Sequence, residues 1–378
     1  MRLRVAWAVA LALAVGLAVG AVVVVIGRSD SSPAPPVPKA SPQSVANLTC
    51  SGPPPPRTRA GDRAGFSEGA VLGGRQGASL EAELAGIAAT GARYLRIDVD
   101  WSAIEQSPGT HDWSAVDRIV DTAHACGLDV IGLLAYTPAW ARGPGSTEHS
   151  PPTDPATFAS FARAAVQRYA SRGVKAWEIW NEPNLTFYWL PAPDPAAYAA
   201  LLGPAYDAIK AVDPSSTVIT GGLAPAENQP RKEAMKPLPF LEAVYRAGGA
   251  GKFDAVGYHP YTYPAMPTDD PGDGPFVTTT PRLHDVMTKH GDKQKQVWGT
   301  EMGAPTQPTT PPTFVAQYLT RAYSRWDRWS FTGPLIWYAY LDAGTNPTDV
   351  EDNLGLVRAD FVTKEPAFAA FEKAMRRR

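Results

Sequence analysis

Residues 176–184 read Ala176-Trp177-Glu178-Ile179-Trp180-Asn181-Glu182-Pro183-Asn184. A short aromatic and β-branched run that breaks into Asn-Glu-Pro has the composition of a buried strand handing polar side chains to a loop. The pattern recurs along the chain. Tyr94-Leu95-Arg96-Ile97-Asp98-Val99 and Asp129-Val130-Ile131-Gly132-Leu133-Leu134 precede it. Thr217-Val218-Ile219-Thr220, Ala255-Val256-Gly257-Tyr258-His259, Val297-Trp298-Gly299-Thr300-Glu301 and Leu335-Ile336-Trp337-Tyr338 follow. A first strand is expected near residues 66–72, where the signal is weakest. Between the runs lie helical patterns: Val116, Ile119, Val120 and Ala123 recur at the 3.6-residue period. Another helix, with Phe158, Phe161, Ala162, Ala165 and Tyr169 on its apolar face, opens at Asp154-Pro155 and stops at Gly173. Asp194-Pro195 opens the next with the same device, a capping carboxylate followed by proline at the first helical position. Eight β/α units in about 320 residues predict an α/β chain folded as a (β/α)8 TIM barrel. No glycine-rich phosphate loop follows the first strand, which argues against a doubly wound nucleotide-binding sheet.

In such a barrel the C-terminal ends of the strands build the site. Here they are polar and aromatic. The period of two puts Arg96, Asp98 and Asp100 on one face of the second strand. The third strand leads into Tyr136-Thr137-Pro138-Ala139-Trp140, the sixth ends at His259-Pro260-Tyr261, and the eighth ends at Trp337-Tyr338. Glu182 and Glu301 end the fourth and seventh strands, across the ring from one another. Cleaving a glycosidic bond needs two such carboxyl groups, one to protonate the leaving oxygen and one to attack the anomeric carbon or activate water there. The 11 tryptophans fit sugar rings, whose C–H faces stack on indole. Trp140 is expected as a sugar platform, Trp101 and Trp113 as packing.

Trp180-Asn181-Glu182-Pro183 and Gly299-Thr300-Glu301 resemble the catalytic motifs of clan A retaining glycoside hydrolases, families 5 and 39 in particular. The resemblance extends through Trp101, Pro108-Gly109, Asp112-Trp113 and Thr137-Pro138-Ala139-Trp140 to Lys364-Glu365-Pro366-Ala367, covering roughly residues 65–376. It implies that Glu182 is the acid/base and Glu301 the nucleophile. It further implies that Asn181 meets the sugar 2-hydroxyl, that Arg96 and Tyr261 hold Glu301 ionised, that His259 lines the site and that Trp337 floors it. Asp98 is a further substrate-binding candidate. Where many family 5 cellulases carry a histidine after the third strand, this chain has Tyr136-Thr137-Pro138, so the resemblance carries the clan rather than cellulase activity.

The remaining composition bounds partners and setting. With 35 basic against 37 acidic side chains the chain lacks the basic excess of a nucleic-acid binder. His259 has no histidine neighbour in sequence, and the acidic loop of Asp342, Asp349, Glu351 and Asp352 matches no EF-hand spacing, so no metal or other cofactor is expected. Val5 to Gly27 is an uncharged stretch of 23 residues, long enough to cross a bilayer. Residues 1–28 therefore read as a signal-anchor and residues 29–60, with nine prolines, as a disordered spacer. Residues 61–378 form the catalytic domain, a monomer held outside the membrane, with secretion after cleavage as the alternative. Cys50 and Cys126 could pair there, a question that spacing leaves open. Arg outnumbers Lys by 24 to 11, and Ala and Pro abound, as in GC-rich actinobacterial genomes. An outward-facing enzyme of that origin would meet envelope polysaccharide, a galactan or arabinogalactan component among the options. Two other readings stay open: a catalytically silent barrel that binds envelope glycans, and a transglycosylase using the same two glutamates.

Overall fold

The computed structural model describes residues 39–51, 56–227, 233–267 and 275–376. The expected membrane anchor lies outside these residues; among those described, no helix is long and apolar enough to cross a membrane. Eight parallel strands close on one another in sequence order: β1 (Ala64–Ser67), β2 (Tyr94–Asp100), β3 (Asp129–Ala135), β4 (Val174–Asn181), β5 (Thr217–Gly222), β6 (Ala255–Tyr258), β7 (Gln296–Met302) and β8 (Thr332–Tyr338). Around them run α1 (Gly77–Ala89), the short α2 (Trp101–Ile104), α3 (Ser114–Ala125), α4 (Pro155–Tyr169), α5 (Pro195–Val212), α6 (Pro237–Val244), α7 (Pro275–Lys289), α8 (Pro312–Trp326) and α9 (Ala367–Met375). The architecture is the (β/α)8 TIM barrel that the repeating pattern predicts.

Helix starts follow the chemistry of the cap. Asp154 accepts a hydrogen bond from Ala156 N at 2.9 Å, and Asp194 accepts from Ala196 N and Ala197 N at 2.9 and 3.0 Å. β1 differs from expectation: it ends at Ser67, and Gly69–Gly74 is a 3-10 turn. Within it Gly65 has no room for a side chain, since a Cβ there would stand 2.4 Å from Tyr94 O.

The barrel interior is layered. Ile131, Ala176, Ile219, Ala255, Trp298 and Ile336, with Tyr94 against them, form an apolar plug. Two residues further along three of those strands stand Arg96, Glu178 and Thr300, all buried. The period of two thus turns an apolar floor into a polar layer directly beneath the mouth.

The expected spacer is fastened over its last part. Thr363 N donates to Gln43 O at 2.9 Å, and Val45, which is buried, donates from its N to Phe361 O at 2.8 Å. Cys50 and Cys126 form a disulfide with Cα atoms 4.6 Å apart, and Thr58 Oγ1 donates to Met375 O. This part of the expected spacer is therefore held against the barrel rather than disordered. A proline-rich chain with few apolar side chains is held here by backbone pairing and a covalent link. Closing 76 residues of chain removes about 4 kcal/mol of unfolded-state entropy in the chain-entropy account.

Candidate active site

At the end of β4 the alternation of side chains breaks. Ala176 and Glu178 point inward, so the period of two would send Asn181 outward. Instead Trp180 takes a left-handed backbone conformation (φ 72°), as does Glu182 (φ 41°). Such φ values are costly for side chains of this size and collect at functional sites. The reversal turns Trp180 into the helix layer, where its Nε1 donates to Tyr188 O at 2.6 Å. Asn181 and Glu182 both reach the mouth. Glu182 N is fixed by Gly222 O at 3.2 Å.

Arg96 is 1% exposed and spends its donors on four partners. Nε donates to Glu178 Oε2 at 2.6 Å, Nη1 to Glu301 Oε1 at 2.6 Å and to Ser67 Oγ at 3.1 Å, and Nη2 to Asn181 Oδ1 at 3.1 Å. Tyr261 OH donates to the other Glu301 oxygen at 3.2 Å. His259 stands between the carboxylates: its Nδ1 is 2.8 Å from Glu182 Oε1 and 3.7 Å from Glu301 Oε2. Arg96, Asn181, Tyr261 and Glu301 thus share one hydrogen-bonded group, His259 and Glu182 a second, and the two meet at the 3.7 Å contact between His259 and Glu301.

Their environments pull the two carboxyls apart. Burial pushes Glu182 up, and the opposing bond and charge of His259 do not cancel it. Burial would also push Glu301 up, but the charges of His259 and Arg96 and the donors on both its oxygens hold it below the usual carboxylate range. Two titratable groups separated in this way divide into an acid and an anion. Burial acts to lower His259, yet Glu301 and Glu182 together raise it.

The other candidates fare differently. Asp98 is half-buried beside the group, and burial, opposed by Arg96 and reinforced by Asp100, Glu301 and Glu178, pushes it up to about 7. Trp140 is half-buried, edge-on to Trp101 at 5.6 Å, with Nε1 donating to Glu105 O at 2.7 Å. It belongs to the packing that includes Trp101, Trp113 and Phe161. Trp337 is a correction: it is 0% exposed and packs against Tyr318 of α8, so it offers a sugar no surface. Ile336 occupies the inward position of β8, and its neighbour must point out. The inward aromatic is Tyr338, half-buried and raised by burial and by Glu301 beside it.

In the acidic loop, Asp342 pairs with Lys364 at 2.6 Å, while Asp349 and Asp352 accept from the backbone N of Glu351 and Asn346. Among the described residues no group of three or more His, Cys, Asp or Glu is placed to hold a metal ion. Sequence reasoning noted Tyr338 at a strand end and Glu351 in the acidic loop without giving either a part in the site, and passed over Glu178. Glu351 is pushed up to about 7 by burial and by Glu301, Asp349, Glu182 and Asp352.

Comparison with known proteins agrees with the barrel fold. A family 39 glycoside hydrolase from the gut symbiont Bacteroides cellulosilyticus WH2 superposes with TM-score 0.68 at 25% identity, over 90% of this chain and 65% of that one. This chain therefore spans slightly less than two thirds of that enzyme's length. A GH39 β-xylosidase from Caulobacter crescentus shares the fold at TM-score 0.64 and 22% identity, over 86% of this chain and 73% of that one. A GH5_18 protein from Streptomyces cattleya, in complex with GlcNAc, does so at 0.66 and 18%, over 83% and 80%. No curated protein matches the sequence. The profile of the family described as Cellulase (glycosyl hydrolase family 5) matches residues 64–333, well over half of the chain. The chain belongs to glycosyl hydrolase family 5, among the glycoside hydrolases of clan A.

Proposed function

We propose that this chain is a retaining glycosidase acting on β-linked neutral sugars, with Glu301 as nucleophile and Glu182 as general acid/base. The observation that carries the reading is the position of His259 Nδ1, 2.8 Å from one carboxylate and 3.7 Å from the other. Even laid end to end, those two legs only reach the lower edge of the ~6.5–9.5 Å that an inverting enzyme needs to admit water. Any bend at His259 brings the oxygens toward the ~5–5.5 Å of double displacement.

In the first step Glu301, ionised, attacks the anomeric carbon while Glu182 gives its proton to the departing glycosidic oxygen. The product is a glycosyl ester on Glu301. In the second step Glu182, now ionised, takes a proton from water, whose oxygen displaces Glu301 and restores both groups. Asn181, oriented by Arg96, is set to donate from its amide to the 2-hydroxyl. Half-buried Tyr338 and Asp98 are the aromatic and polar groups offered to the ring. The pH profile follows from the two carboxyls: an acid limb below the usual glutamate range, from Glu301, and an alkaline limb above it, from Glu182.

The rest of the proposal concerns setting. The Cys50–Cys126 disulfide supports an oxidising compartment, and the apolar N-terminal stretch supports a membrane anchor with the barrel outside, as a monomer. There the polymer to be cut is a cell-envelope polysaccharide, with a galactan or arabinogalactan component as the first to try.

A fluorogenic glycoside panel of pyranosides and furanosides, including xylosides and N-acetylglucosaminides, tests the activity. Glu182→Gln should cost roughly 10²–10⁴-fold in turnover. On activated substrates azide should rescue Glu182→Ala as a glycosyl azide of retained configuration, and any product from Glu301→Ala should be the inverted azide. The reverse pattern would exchange the roles, and no turnover by the folded chain would favour a glycan-binding barrel.

A further inference from the structure

The polar layer under the catalytic pair holds a carboxylate that the two steps do not use. Glu178 is 0% exposed. Its Oε2 accepts from Arg96 Nε at 2.6 Å; its Oε1 accepts from Gly222 N at 2.8 Å and Thr300 Oγ1 at 3.0 Å. Every partner is one step from the chemistry. Arg96 also donates to Glu301 at 2.6 Å, and Thr300 immediately precedes Glu301. Gly222 O receives Glu182 N at 3.2 Å, and a Cβ on Gly222 would stand 2.1 Å from His259 Nε2. One carboxylate therefore touches β2, β5 and β7 from its own place on β4, at the level where both catalytic groups emerge.

Stability alone is a weak reason for such a group, because buried ion pairs are often no better than apolar residues of the same size. The effect on Arg96 is a stronger one. A guanidinium facing Glu301 alone would over-stabilise the carboxylate that must attack. With Glu178 on Nε, the same charge is divided between a fixed partner and a reacting one, and a like charge sits near Glu301.

We propose that Glu178 is a positioning residue, which shares the Arg96 charge with Glu301 and ties β4, β5 and β7 together so that Glu182 and Glu301 face one another. This rests on the reading of those two glutamates as the reacting pair.

The test compares Glu178→Gln and Glu178→Asp in the full chain. Glu301 is followed by carboxyl-carbon NMR, its signal assigned through Glu301→Gln, alongside the pH profile of kcat on a glycoside that the wild type cleaves. Glu178→Gln removes the charge, so Glu301 should titrate at lower pH than in the wild type, and kcat should fall about tenfold or more. Glu178→Asp keeps the charge one methylene short, so the titration should stay near wild type while kcat falls comparably. An unmoved titration in Glu178→Gln would overturn the charge-sharing role. Should Glu178→Gln fail to fold, a wild-type kcat in Glu178→Asp would overturn the proposal. Absence of all turnover in the wild type would sink the glycosidase reading itself, while the NMR titration still decides what Glu178 does to Glu301.

Discussion

Replacing Arg96 with methionine keeps the linear stem and deletes the guanidinium. Glu178 then retains the donors on Oε1, from Gly222 and Thr300, but Oε2 loses Arg96 Nε at 2.6 Å. Glu301 keeps Tyr261 at 3.2 Å and the more distant His259, and loses its 2.6 Å bond. Breaking a buried pair from one side costs about 3–5 kcal/mol, against a total stability of roughly 5–15 kcal/mol. At a urea dependence of about 3 kcal/mol per molar, the midpoint should fall by about 1–2 M. Tryptophan fluorescence during urea titration at pH 7 and pH 4 reads this. The sign with pH is fixed by Glu301, whose folded value is depressed by groups that outweigh its burial. Its contribution is present above the unfolded glutamate pKa and is lost as pH falls through the folded value. The wild type gives that contribution up in acid and Arg96→Met never had it, so the gap between them should narrow at pH 4. Equal midpoints at pH 7, or a gap that does not change with pH, would refute the electrostatic account of the site.

Three further outcomes are expected. In Gly222→Ala the added methyl meets His259 Nε2 at 2.1 Å and Thr300 Oγ1 at 2.6 Å, so His259 must leave Glu182; activity should drop and the alkaline limb of the pH profile move up. Glu68 and Glu83 are a buried carboxyl pair, both raised, Glu68 by burial and then by Glu83, so stability is present below the unfolded glutamate pKa and lost as pH rises through the folded values. Glu68→Gln should therefore raise the Tm by about 2–4 °C at pH 8 and by little at pH 4, for a gain of about 1 kcal/mol; calorimetry at both values decides. Cys50→Ser should lower the Tm measured without reductant by an amount corresponding to up to about 4 kcal/mol, and make the Tm insensitive to dithiothreitol.

The barrel was legible because seven of its strands are compact runs of Val, Ile, Leu and aromatics spaced by amphipathic helices. β1 was hard to see because Ala64-Gly65-Phe66-Ser67 carries one large apolar side chain, and Gly65 serves by the room its missing side chain leaves Tyr94. The places of Glu182 and Glu301 could be read because strand ends build the mouth whatever the details. Which way a side chain faces was less accessible. On β8 the inward place of Ile336 sends Trp337 out and Tyr338 in, and nothing in the four-residue run anchors that parity. On β4 a left-handed Trp180 reverses it altogether, a conformation no side chain announces. Glu178 passed for an ordinary strand residue because its partner Arg96 is 82 positions away. The hold on residues 43–50 depends likewise on distant chain, Phe361 to Thr363 and Cys126.

That last attachment also sets how the molecule carries load. A pull on the chain ahead of Gln43 meets the short backbone pairing with residues 361–363 first, and then the Cys50–Cys126 crosslink. Hydrogen bonds can peel, but the covalent bond stops the peeling there and hands the tension to the turn between α3 and β3. β1, the thinnest stave of the barrel, stays slack, and with it the ring that keeps two carboxylates on either side of one histidine.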